Sequence, residues 1–268
     1  MKRPLLLALF GLAYLAAGAP PRGAGQSGKA IICLTYDDGL PSHLGTVLPQ
    51  LQAAGLKATF FLNGIAGAST ALGEASPAVV GWTTAAANGH ELANHTLFHA
   101  CPEELGWQKA YAIESYTVER MVQEVKAQNN LLALLDPARK IRSFAYPCNN
   151  LLIGTVDYGA LLMQQGLVRY GRAGGDRLSV VTDLARINPM QMPSWMVEQG
   201  TTLAELVAFA EKAKKAGGVG IYQFHGVGAE FFTVSTETHQ AFLAYLKQHA
   251  NDYRVLTFSE AMEAIARK

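Results

Sequence analysis

The sequence predicts a parallel α/β fold, either a barrel or a doubly wound sheet, and three observations carry that prediction. Apolar runs of strand length alternate with amphipathic stretches of helix length roughly seven times over about 240 residues. The clearest of the runs, Ala30 to Leu34, is apolar throughout and follows Gly28, as a strand covered on both faces would be. Side chains capable of chemistry sit where several runs end, which is where α/β folds place their active sites. At 268 residues the chain suits one large domain with a substantial core, and no internal repeat or linker divides it.

The N-terminus carries Lys2 and Arg3, an apolar stretch from Leu5 to Ala17, and then Gly18, Ala19, Pro20 and Pro21. This is the pattern of a secretory signal and is short for a membrane span, so residues 1–25 are expected to be a signal peptide and 26–268 the folded domain. No Cys near the end of the apolar stretch could take a lipid. The expected mature protein is soluble, without an integral membrane span, and secreted or periplasmic.

The first strand runs into T-Y-D-D-G, Thr35 to Gly39, and is followed by a helix with Leu44, Val47, Leu48 and Leu51 on one face, stopped at Gly55. A second strand covers Ala58 to Leu62. Pro77 near its start and Gly89 past its end delimit a second helix, and His90 to Asn94 is the third strand. Val118, Met121, Val122 and Val125 form the apolar stripe of a helix over Ser115 to Leu134. Ser143 to Tyr146 is a strand broken by Pro147, Val156 to Gln164 a helix, and Leu167 to Tyr170 a short strand. Gly171 to Trp195 shows no legible period. Leu203 to Lys215 is a helix ended by Gly217 and Gly218. Strand Val219 to Phe224, helix Thr238 to His249, strand Arg254 to Thr257 and a closing helix capped by Ser259, with Met262 and Ile265 as its apolar positions, complete the chain.

With 16% charged residues and a net charge of +1, the chain lacks the basic footprint of a nucleic-acid or anionic-lipid binder, and a neutral partner fits better. Asp37 and Asp38 end the first strand, and two adjacent carboxylates stay ionised together only beside a cation or strong donors. A plain Asx turn is the competing reading. His95 and His99, in H-T-L-F-H, follow the third strand four positions apart, so on a helical turn they would share one face and could share a metal. Two His and one Asp form a common open metal site. His225, where the strand Val219 to Phe224 ends, is a candidate general acid on the same rim. His43, His90, His239 and His249 read as packed or solvated.

T-Y-D-D-G, H-T-L-F-H and the strand ending in His225 resemble three motifs of the polysaccharide deacetylases, the NodB-homology family (carbohydrate esterase family 4), and the resemblance spans roughly residues 29–266. It implies a distorted (β/α) barrel of seven or eight strands and metal-assisted hydrolysis of N- or O-acetyl groups on a polysaccharide or oligosaccharide. By position it implies Asp38, His95 and His99 as ligands of a divalent metal, zinc being the first expectation, with Asp37 as the base and His225 as the acid. The third motif matches Ala145-Tyr146-Pro147-Cys148 and makes the Cys148 backbone N–H the oxyanion donor. Asp176 and Asp183 are weak candidates for tuning His225, and Arg186, Pro189 and Trp195 are candidates for lining the site.

Two departures bear on activity. Family members carry Arg where this chain has Ala145, which leaves the base without its usual partner. Arg186 is the first choice to replace it, because Pro189 and Pro193 suggest a fixed loop, with Arg142, Arg169 and Arg172 behind it. Members also carry an aromatic residue where this chain has Cys148. With Cys101 two residues after His99, a Cys101–Cys148 bridge between ligand loop and oxyanion loop is expected, against three reduced thiols, and Cys33 is read as a buried thiol. Two alternatives stay open: a catalytically impaired carbohydrate-binding protein on the same fold, and a glycosidase, which adjacent Asp37 and Asp38 serve badly because they cannot flank a glycosidic bond.

Overall fold

A computed structural model of the protein describes residues 28–64, 77–174, 179–183 and 186–266. The expected leader and Asp176 therefore lie outside the described residues. The sheet is built around β1 (Ala30–Asp37), buried along its whole length. The other strands that join it are β2 (Thr59–Leu62), β3 (Glu91–Asn94), β4 (Arg142–Ala145), β7 (Val168–Arg172), β8 (Trp195–Met196), β9 (Val219–Phe224) and β10 (Tyr253–Val255). They lie in the order β7-β4-β3-β2-β1-β9-β8, and every pairing is parallel. β1 uses one flank for β9 and divides the other, β10 pairing with residues 30–32 and β2 with residues 35–37. A separate antiparallel hairpin, β5 (Leu152–Ile153) and β6 (Val156–Asp157), was not legible in the sequence.

The sheet curls until its edges approach. Met192 donates to the Gly171 carbonyl at 2.8 Å and Ala173 to the Met192 carbonyl at 2.9 Å, and a few residues later β8 pairs with β9. The stretch before β8 thereby spans from the β7 edge to the β9 edge, which makes the distorted barrel the motifs imply. Strand alternation then sorts the side chains. Ile32, Leu34 and Tyr36 point outward with Phe60, Leu92, Tyr222 and Phe224 against the helices. Ile31 and Cys33 point inward with Phe61, Ala93, Ala145, Met192 and Ile221. Asp37 continues the inward series, so an acid in an otherwise apolar strand arrives inside the barrel at its C-terminal end.

The helices are α1 (Leu48–Ala54), α2 (Pro77–Ala87), α3 (Val118–Leu135), α4 (Tyr158–Gln164), α5 (Leu203–Ala216), α6 (Thr236–Gln248) and α7 (Phe258–Ala266), with a π turn at His43–Val47 ahead of α1. Capping chemistry sets the boundaries that periodicity placed loosely. Thr117 accepts from the Arg120 N–H and starts α3. Ser235 caps α6 two residues earlier than expected. Ser259 is not the cap of α7 but lies within its first turn. Glu260 reaches back to the Thr257 N–H at 3.0 Å, and the Ser259 N–H binds the buried Glu91 carboxylate at 2.9 Å. Predicted helix Val156–Gln164 begins only at Tyr158, because Val156 and Asp157 belong to the hairpin and Asp157 caps the helix. Among the described residues no helix is long and apolar enough to cross a membrane.

Candidate active site

The C-terminal ends of β1, β2, β3, β4 and β9 open onto a cleft of about 770 Å³ whose floor is Asp37, Asp38, Asn63, His95, His99, Gln223 and His225. The strand-end residues predicted from sequence therefore meet on one rim. Asp38 leaves the strand in the left-handed region, φ 74°, a conformation an Asp tolerates better than most residues, and this turns its carboxylate toward the histidines. Asn63, at the end of β2, donates to Asp38 Oδ1 at 2.8 Å and holds that orientation.

His95 and His99 are not on a helical turn. The segment after β3 is a tight loop with Thr96 at φ 63° and His99 at φ 52°. Side chains stand in for helical bonds there: Asn94 Oδ1 accepts from the Thr96 N–H at 2.8 Å, and Thr96 Oγ1 from the His99 N–H at 3.0 Å. The loop still brings the rings together, with the two Nε2 atoms 3.2 Å apart. Asp38 Oδ1 is 3.3 Å from His99 Nε2 and 3.7 Å from His95 Nε2.

These spacings fit one divalent ion. Bonds of about 2.0–2.1 Å in a tetrahedral site put neighbouring donor atoms about 3.3 Å apart. The chemistry of the donors agrees. His95 donates Nδ1–H to the Ala145 carbonyl at 2.8 Å, which leaves the Nε2 lone pair for a ligand. Burial holds His95 neutral, its pKa down to about 3, and His99 likewise, down to about 4. Burial and the neighbouring Asp37 charge push Asp38 up to about 7, a repulsion that a cation at this point would relieve. Asp38, His95 and His99 would hold the ion.

Asp37 is buried, yet its carboxyl is held below the usual range. Burial alone would raise it; the Arg172 guanidinium, with His95 and His225, more than reverses that. Arg172 Nη2 donates to Asp37 Oδ2 at 2.5 Å and Gln223 Nε2 to the same oxygen at 3.1 Å. The other oxygen, Oδ1, is buried and has no hydrogen-bond partner among the described residues, so one oxygen is anchored and one is free to take a proton. His225 Nε2 lies 3.9 Å from Asp37 Oδ2, and its Nδ1 is buried without a partner among the described residues. Burial lowers the His225 pKa. Buried His43 accepts from the Leu40 N–H at Nδ1, so its Nε2–H donates to the His225 carbonyl at 2.8 Å and fixes the backbone that carries the His225 ring.

Arg186 does not partner Asp37. It is exposed and pairs with Asp183 at 3.5 Å, so neither residue serves the roles expected of it. The physical reason is the true length of β7, which runs two residues past the predicted Tyr170 and delivers Arg172 inside the barrel. Pro189 and Trp195 do not line the cleft either. Trp195 packs against Phe209 and Tyr222 on the outer side of the sheet, and its neighbour Met196 faces the cleft instead. Cys148 does line it, in a left-handed turn at φ 50°, and is bridged to Cys101 with the Cα atoms 5.7 Å apart, as expected, while Cys33 is a buried free thiol. Asn63 and Gln223 were missed. Gln223 was within reach, since alternation from His225 puts it on the same face; nothing in the sequence around Asn63 marks it.

The family model of the polysaccharide deacetylases matches residues 24–155. The chain belongs to that family, the NodB-homology proteins of carbohydrate esterase family 4. Its fold is similar to that of the family 4 esterase domain of a multidomain xylanase from the hindgut metagenome of Trinervitermes trinervoides: TM-score 0.53, 17% identity, 89% of this chain and 92% of that one covered. The catalytic domain of a peptidoglycan N-acetylglucosamine deacetylase from Eubacterium rectale gives a TM-score of 0.54 at 19% identity, over 91% of this chain and 93% of that one. A family 4 pseudoenzyme from Bacillus anthracis is as similar in fold, with a TM-score of 0.53 at 16% identity, over 88% of this chain and 66% of that one. No curated protein matches the chain significantly.

Proposed function

We propose that the protein is an exported, metal-dependent hydrolase that removes acetyl groups from a polysaccharide or oligosaccharide. The observation that carries this reading is the pairing of a three-donor metal site with an anchored carboxylate beside it: Asp38, His95 and His99 converge, and Asp37 is fixed by Arg172 with its Oδ1 free. When bound, a divalent cation, zinc by its His2Asp donor set, supplies positive charge that polarises the acyl oxygen and eases deprotonation of a water.

The chain's own groups supply the proton traffic. Asp37 Oδ1 takes the proton of the attacking water, and Arg172 and Gln223 keep the carboxylate aimed and ionised. The Cys148 backbone N–H is the donor assigned to the developing acyl oxyanion, and the bridge to Cys101 holds the turn that carries it. His225 delivers a proton to the departing amine or alcohol, with His43 fixing its backbone. Export is supported by the signal-like residues 1–25 and is compatible with a disulfide, which persists outside the cytosol.

The impaired-enzyme alternative rests on Ala145, and Arg172 weighs against it by putting a guanidinium on Asp37. Acetate release from a panel of acetylated glycans, including chitotetraose and acetylated xylotetraose, tests the proposal. The wild-type protein reconstituted with zinc should release acetate from at least one member, and sugar binding without acetate release would favour the impaired alternative.

A further inference from the structure

The mouth of the cleft is as apolar as its floor is polar. Phe231 and Phe232 stand on one side, 50% and 48% exposed, and Leu105 and Trp107 on the other. The loop that carries this pair is held by its own backbone hydrogen bonds. The loop between β9 and α6 doubles back on itself: Gly226 donates to the Phe231 carbonyl at 3.2 Å, Gly228 to the Val234 carbonyl at 2.8 Å and Val234 to the Gly226 carbonyl at 3.1 Å. The turn is so tight that a Cβ on Gly226 would sit 1.9 Å from the Ala229 carbonyl oxygen. Glu230 pins the loop to the T-Y-D-D-G side by accepting from the Ser42 N–H at 3.2 Å. Glu230 and Phe232 adopt left-handed backbone, φ 62° and φ 45°, which costs free energy in a residue as bulky as Phe.

Two exposed rings are thus held in a strained loop, and what they are held against is the proton donor. The ring centroids of Phe231 and Phe232 lie 5.7 Å and 5.2 Å from that of His225, and the two rings meet edge to face at 5.8 Å. Trp107 instead neighbours the metal-ligand position His99, at 5.9 Å. Because His225 protonates the leaving group, whatever touches the Phe pair is on the leaving-group side of the scissile bond. A pyranose presents axial C–H groups that pack on an aromatic face, and an apolar platform beside the acid suits such a ring. Among the described lining residues there is no Lys or Arg to receive an anionic substituent.

We infer that Phe231 and Phe232 are specificity-determining residues that seat an uncharged sugar ring as the leaving group, an inference that rests on the deacetylase reading above. The test compares wild type with Phe231→Leu, Phe232→Leu and the matching Phe→Tyr variants, using zinc-loaded protein and chitotetraose or acetylated xylotetraose, with binding of each tetrasaccharide also followed by calorimetry. Leu keeps an apolar residue in the loop while removing the ring, and melting temperature and metal content check each variant's fold. Expected are a KM and a dissociation constant raised about tenfold in at least one Leu variant, a kcat changed less than about threefold, and wild-type values restored by Tyr. Unchanged KM and affinity in both Leu variants would overturn the inference, as would a kcat loss at constant KM, which would mean that the rings act through His225 rather than on the sugar. Activity of wild type on anionic glycans alone would overturn it too. A wild type that releases no acetate from any glycan is a separate result, since it removes the deacetylase reading and the inference together.

Discussion

Ala145 and Arg172 are register partners across the β4–β7 ladder, and the guanidinium missing from position 145 reaches Asp37 from position 172. Parallel neighbours at one register level point to the same side of the sheet, so an Arg can move to the next strand and still enter the barrel at the same height. Replacing Arg172 with Met should lower turnover about a hundredfold, the scale expected when a catalytic group loses its positioning. The acid limb of the pH profile should move to higher pH, because Asp37 keeps its burial and loses the charge that offsets it. Metal content should stay at one equivalent. Arg186→Met, by contrast, should change neither rate nor profile, and kcat measured across pH for both variants checks the pair.

The disulfide closes a loop of 47 residues between the ligand segment and the Pro147–Asn149 turn. Loop-closure entropy assigns a link of that span about 4 kcal/mol. Replacing Cys101 and Cys148 together with Ser should lower the free energy of unfolding by a sizeable part of that figure, read as a lower urea midpoint. Under denaturing, non-reducing conditions the wild type should show one free thiol, that of Cys33. Three free thiols would contradict the bridge.

Burial keeps three histidines away from the Asp38, His95 and His99 cluster neutral, lowering His43 and His90 to about 4 and His239 to about 3 from an ordinary value of 6.5. Between those values the unfolded chain binds more protons than the folded one, so their contribution is fully present above pH 6.5 and is lost as pH falls through the window. The urea midpoint should fall between pH 7.5 and pH 5, and His239→Gln should flatten that dependence. His239 stands between Tyr36, 2.7 Å away, and Gln50, 2.6 Å away, so the variant is also expected to be less stable at pH 7.5.

With His225 as the proposed acid, activity should have its basic limb below the ordinary imidazole range, because the group must be protonated to act and burial lowers its pKa. His225→Ala should abolish that limb and lower turnover by about a hundredfold or more while leaving metal content intact. A basic limb that survives in the variant would assign it to another group.

Most of the site was legible because chemistry falls at strand ends and alternation is strict: Asp37, Asp38, His95, His99 and His225 meet as their positions implied. What escaped depended on pairings with no local signature. Arg172 is among the candidates the sequence offers but ranks behind Arg186, because the strand ends two residues beyond its apolar run, in a stretch whose hydrogen bonds run to Pro189 and Met192 rather than to neighbours in sequence. Asn63 acts through one hydrogen bond to Asp38, which no periodicity encodes. The histidine pair was placed correctly for the wrong reason. Asn94 and Thr96 side chains, rather than a helical turn, bring the two rings together.

Metal dependence is read by titrating metal-free protein with zinc while bound metal and acetate release from a responsive glycan are followed in the same samples. Acetate release should rise in proportion to bound zinc and level off at one equivalent, and His95→Ala should lose both together. Acetate release that proceeds without zinc, or full zinc occupancy in His95→Ala, would contradict it.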